Sequence, residues 1–283
     1  MMVRRDSPAC IEGCYGFRRG EGGGTNNTGV FGPLKGSVAP VRQPDETSTS
    51  GVGLDFFEPL SRIDTIVENA AAADLIAAFF DRARPFDGDL MHTLPGNPPY
   101  EVTLEDLYAI TGLEVRVRAK GVRSLLQDDN VRERTARLLR KIAVDEDIWE
   151  GSADFSDGGP ASQLWSFLQE LPGVGSVTAN KILCRKRPRL LPIVDSVIVE
   201  QVNAPEGTYW DVFRTYLADN ARRRTVEALR PASLNPLVPT LRILDVVIWM
   251  TGSRGRDAKK VRNDLGVPHP PPKLAKGQKP DAP

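Results

Sequence analysis

The chain has 283 residues, 40% hydrophobic and 26% charged, which is enough for a sizeable core and excludes a fibrous or wholly disordered polymer. Lys plus Arg and Asp plus Glu both number 37, so overall charge selects no partner, and three cysteines (Cys10, Cys14, Cys184) exclude a disulfide framework and fit a reducing cytoplasm. Cys10 and Cys14 alone cannot close a four-ligand metal site, so no metal is expected. The charge is unevenly spread: from Leu171 onward there are 19 basic and 10 acidic residues, a net of +9, against −9 before it. Such asymmetry points weakly to a half that faces a polyanion.

Residues 1–52 are rich in Gly, Ser, Thr, Asn and Pro and show no apolar period, as expected of a disordered tail or an over-extended gene start. No signal peptide is evident. Residues 53–265 are expected to form one helical domain. An alanine-rich stretch with Leu75, Ile76, Phe79 and Phe80 predicts a helix over 64–82, and the prolines and glycines of 84–99 predict a loop. Thr103 is placed to cap a short helix through Ile110, with Asp106 completing an acidic capping box. Residues 113–118 alternate apolar and charged, as a short strand would. Further helices are predicted at 131–142, 210–217, 221–229 and 238–251. The run 241–250 is the most apolar, yet it is too short to span a bilayer and contains Asp245, for which Arg242, three residues earlier, is a natural ion-pair partner. Residues 266–283 read as an extended basic, Pro-rich tail. The fold class expected is all-α, with at most a small β element.

Residues 164–184 carry the most information. Leu164, Phe167, Leu168 and Leu171 fall on one helical face, and Pro172-Gly173-Val174-Gly175 then interrupts the helix. A second helix follows, with Ala179, Ile182 and Leu183 on one face. Such a turn presents free backbone amides at a helix start, where the helix dipole favours an anion, so a phosphate can bind without a side chain. Lys181, Arg185, Lys186, Arg187 and Arg189 then form a dense basic cluster, read here as a phosphate-tracking patch.

Leu171-Pro172-Gly173-Val174-Gly175 with Thr178-Ala179-Asn180, followed by Pro192-Ile193-Val194-Asp195, resembles the helix-hairpin-helix and aspartate segments of the DNA glycosylase superfamily, especially its endonuclease III branch. The resemblance covers about forty residues. It implies DNA as partner through the phosphate backbone, with Gly173, Val174, Gly175, Lys181, Arg185, Lys186 and Arg187 touching it, and Asp195 as the catalytic carboxylate at the start of a helix. The lysine used by bifunctional members is replaced by Val177, and no cysteine follows Cys184, so the resemblance implies no iron–sulfur cluster. No other cofactor and no membrane association are expected. Three readings remain open: a monofunctional base-excision N-glycosylase, a non-catalytic nucleic-acid-binding module that kept the hairpin and lost the chemistry, or a structural relic with no nucleic-acid role. His92 reads as a loop residue, Trp165 and Trp249 as core, and Arg254, Arg256, Lys259, Lys260 and Arg262 as a second basic segment.

Overall fold

The computed structural model describes residues 56–268, which contain thirteen α-helices, two 3-10 turns and no strand. The expected tail at 1–52, and all but the first three residues of that at 266–283, lie outside the described residues. The described helices all belong to one compact unit. No described helix is long and apolar enough to cross a membrane.

The helix expected over 64–82 is two helices, α1 (Phe57–Val67) and α2 (Ala72–Phe80). The break falls where the Asn69 side chain accepts the Ala71 amide at 2.9 Å, offering the backbone an alternative to the helical ladder. The loop at 84–99 contains a single helical turn, α3 (Leu90–Thr93), anchored by buried Met91. The capping box at Thr103 and Asp106 forms as expected and starts α4 (Leu104–Ala109). The strand expected at 113–118 does not form. Leu113 closes a 3-10 turn begun at Ile110, and Glu114 adopts φ +60°, which breaks the extended run before a partner strand can pair with it. The chain instead enters α5 (Ala119–Gln127) and then α6 (Asp129–Leu139), whose N-terminal amides are capped by Asp128.

The hairpin is present as α7 (Pro160–Gln169) and α8 (Ser176–Lys186), tied together by the Trp165 indole donating to the Ser176 carbonyl at 3.1 Å. α9 (Ser196–Val202), α10 (Tyr209–Ala218), α11 (Asn220–Ala228), α12 (Thr240–Gly252) and α13 (Arg256–Asp264) complete the fold. Eleven of the thirteen α12 residues are buried. A helix apolar on all sides belongs inside, and α12 packs against α1, α2, α9, α11 and α13. α8 plays the corresponding part for α4 and α7.

Three consecutive cations at the end of α8 tie it to the segments 91–106 and 139–142. Arg185 Nε meets Asp106 Oδ1 at 3.1 Å, and Lys186 Nζ meets Asp106 Oδ2 at 2.7 Å. Arg185 also donates to the carbonyls of Met91 (2.7 Å) and Leu94 (2.6 Å). Arg187 donates to Leu139 (2.6 Å), Pro99 (2.9 Å) and Ile142 (3.1 Å). These side chains are therefore structural, and the phosphate-tracking patch expected from Arg185, Lys186 and Arg187 does not exist on the surface. A buried cation is tolerated only when carboxylates and carbonyls replace its water, and here they do. Removing Asp106 leaves two buried cations without their countercharge. Asp106→Ala should therefore destabilise the fold by about 3–5 kcal/mol, read as the shift in a urea-unfolding midpoint; a loss below about 1 kcal/mol would show the pair to be dispensable.

Candidate functional site

The turn between α7 and α8 uses its two glycines for different reasons. Gly173 has φ +79°, and a Cβ there would stand 3.0 Å from Arg118 Cβ, so both backbone angle and close approach require glycine. Gly175 is the N-cap of α8 in extended backbone, and a Cβ there would meet nothing within 4 Å. Nothing inside the fold requires that residue to be glycine. Val174, expected at the nucleic-acid contact, buries its side chain and spends its amide on the Leu171 carbonyl at 3.1 Å, so it offers a phosphate no donor. The first turn of α8 receives no side-chain cap.

The segment Pro192-Ile193-Val194-Asp195 is pinned from two sides. Asn180 of α8 donates to the Pro192 carbonyl at 3.2 Å and accepts the Val194 amide at 2.8 Å. Asp245 of α12 accepts the Ile193 amide at 3.1 Å. Asp195 then caps α9 as expected, Oδ1 accepting from Val197 (2.9 Å) and Ile198 (3.1 Å). Its Oδ2 makes no hydrogen bond to the described residues, and Asp195 as a residue is half-buried.

Asp195 lines a cavity of about 430 Å³ where α2, α8, α9 and α12 converge. Phe79, Phe86 and Trp249 form an aromatic wall, with Phe79 and Phe86 stacked at 5.3 Å and Trp249 edge-on to Phe79 at 5.9 Å. Trp249, expected in the core, is therefore a lining residue. Val177 and Lys181 reach the same cavity from one face of α8. Lys181 is buried and donates to the Leu113 carbonyl at 2.7 Å, so it is a pocket residue and not part of an outward basic patch. Burial pulls its ammonium below the ordinary lysine range, while Asp195 and Glu114 oppose that shift.

The expected ion pair between Arg242 and Asp245 forms in the same lining. Arg242 Nε and Nη2 and Asp245 Oδ1 are buried without partners. Cys184 donates to the Pro192 carbonyl at 3.1 Å, and burial pushes its thiol up to about 12, which leaves it an unreactive neighbour. His92 lies in α3, not in a loop. Both of its ring nitrogens are buried and unpartnered, and burial, with Arg242 and Arg185 nearby, holds it neutral. Among the described residues, no group of three or more His, Cys, Asp or Glu side chains could hold a metal ion. In the second basic segment, Arg262 is buried and donates to the Met250 and Ser253 carbonyls, Arg254 pairs with Glu200, and Arg256 pairs with Asp257.

Burial pushes the Asp245 carboxyl up to about 7 from an ordinary 3.8, against the pull of Arg242 and the Ile193 amide. Between those two values the folded chain keeps a proton that the unfolded chain has released. Asp245 thus makes the protein less stable as pH rises from 3.8 towards 7, with the loss levelling off above. Asp245→Asn keeps an acceptor for Ile193 and should remove that slope from a series of urea titrations across the window. A variant retaining the wild-type slope would assign it to another group.

No curated protein and no solved structure matches this chain. Residues 72–252 match the family described as Family of unknown function (DUF6308); the match spans more than half of the sequence and encloses the hairpin, Asp195 and the cavity, and the chain belongs to that family.

Proposed function

We propose that this protein binds DNA through its α7–α8 hairpin and hydrolyses an N-glycosidic bond, acting as a monofunctional base-excision enzyme. The reading rests on one observation above all. Asp195, at the start of α9, lines an aromatic-walled cavity with its Oδ2 unengaged, and that cavity shares α8 with the hairpin. The cavity's size falls within the ~300–1,000 Å³ of small-molecule sites, and aromatic rings offer a stacking surface to an extruded base. In the reaction, the bond between C1′ and the base nitrogen breaks and its electron pair leaves with the base. Water attacks C1′, one of its protons passes to the departing base through solvent, and an abasic sugar remains. The Asp195 carboxylate would stabilise the positive charge that develops on the sugar and orient the water. Val177 presents no amine at the position of the bifunctional lysine.

Asp195→Asn should lower base release by ~10²–10³ while leaving duplex affinity unchanged, because the amide keeps the shape and some capping ability but lacks the charge. The measurement is free base released from a panel of damaged duplexes, with binding followed by fluorescence anisotropy. Release by the variant at the wild-type rate would sink the catalytic assignment. No release by the wild type, with binding retained, would leave the binding module as the reading. Gly175→Ala should weaken duplex binding without unfolding the protein, since a Cβ there has open space inside the fold but obstructs a backbone approaching from outside. Unchanged affinity would make the hairpin purely structural.

A further inference from the structure

With residues 185–187 turned inward, a duplex would have to find its cations elsewhere. Arg116, Arg118, Lys120 and Arg123 are all exposed, and among the described residues none of them makes an ion pair, a side-chain hydrogen bond or a ring contact. Other exposed arginines, Arg62, Arg82, Arg132 and Arg256, each meet a carboxylate, and Arg134 and Arg140 each lie over an aromatic ring; Arg137 and Arg224 are exposed singly, outside any such run. Residues 115–123 contain no acidic residue. The cations also oppose the local helix. Arg118 is the N-cap of α5 and Lys120 lies in its first turn, where no acidic residue is present. Positive charge at a helix N-terminus is disfavoured by the dipole, so this arrangement lowers stability unless an anion from outside offsets it.

The position of the strip is specific. Leu113 and Glu114 line the cavity beside Asp195. A few residues on, Arg118 packs beside Gly173, and a Cβ on Gly121 would stand 2.8 Å from the Pro172 carbonyl oxygen. The strip therefore runs from the cavity rim to the hairpin turn. We infer that residues 115–123 carry the phosphate backbone of a nucleic-acid duplex between the hairpin turn and the cavity mouth. The inference rests on the DNA-binding part of the reading above and not on the chemistry assigned to Asp195.

The test uses the full chain, a short fluorescent duplex and a series of salt concentrations. The variant R116A/R118A/K120A/R123A should bind at least about tenfold more weakly at low salt. Its slope of log affinity against log salt should flatten by about 0.9 for each phosphate that is no longer neutralised. Its unfolding midpoint should equal or exceed that of the wild type, because like charges are removed from a helix N-terminus; a merely structural strip would lose stability instead. K259A/K260A, which removes exposed cations from α13, should leave the slope unchanged. Unaltered affinity and slope in the folded quadruple variant would overturn the inference. So would a wild type that binds no duplex, or one that binds anionic lipid vesicles more tightly than DNA. If the wild type binds through this strip but releases no base, the inference stands and the catalytic reading alone falls.

Discussion

The fold depends on one carboxylate, Asp106, which is fully buried and receives Arg185, Lys186 and the Thr103 amide. Its demand for compensation, and that of the cations, draws the C-terminal turn of α8 into a ring of carbonyls from residues 91–99 and 139–142. Desolvating three adjacent cations is costly, so the arrangement survives only with every donor directed at an acceptor. That requirement fixes where α8 lies and how it is rotated. With α8 fixed at its C-terminal end, its N-terminal end carries the hairpin turn, and one of its faces presents Val177 and Lys181 to the cavity.

The catalytic candidate is held by the same logic on a smaller scale. Asn180, one residue before Lys181, grips the backbone on both sides of Ile193, and Asp245 grips Ile193 itself. The loop that delivers Asp195 is thus clamped between α8 and α12, with Leu190, Leu191 and Ile193 buried in the core beneath it. The aspartate caps α9 with Oδ1, leaves Oδ2 without a hydrogen bond to the described residues, and lines the cavity. Capping and catalysis are compatible because they use different lone pairs of one group.

The basic residues show how far charge can be read from sequence. Residues 181–187 form the densest cationic run beside the hairpin, yet their side chains point inward. The less conspicuous run at 116–123 stays outside. Composition cannot separate the two, because an arginine is buried only where partners replace its water, and those partners lie some 45 to 95 residues away in sequence. Likewise, Phe79, Phe86 and Trp249 carry no spacing signal that would group them, since they meet only where α2 and α12 cross.

Local rules settled what depends on local interactions. The helical period of 164–171, the Pro-Gly interruption at 172–175, the Thr103–Asp106 box and the aspartate cap at 195 were all legible in the sequence. Each is an interaction between residues at most seven apart. The split of 64–82 into two helices and the failure of a strand at 113–118 were not anticipated, because the apolar period runs on through the local Asn69–Ala71 turn and alternation at 113–118 does not register the positive φ of Glu114. The sequence could propose that Asp195 opens a helix after a hairpin. Only the tertiary structure decided that it lines an aromatic cavity and that the adjacent cations turn inward, since burial and desolvation are set by distant parts of the chain.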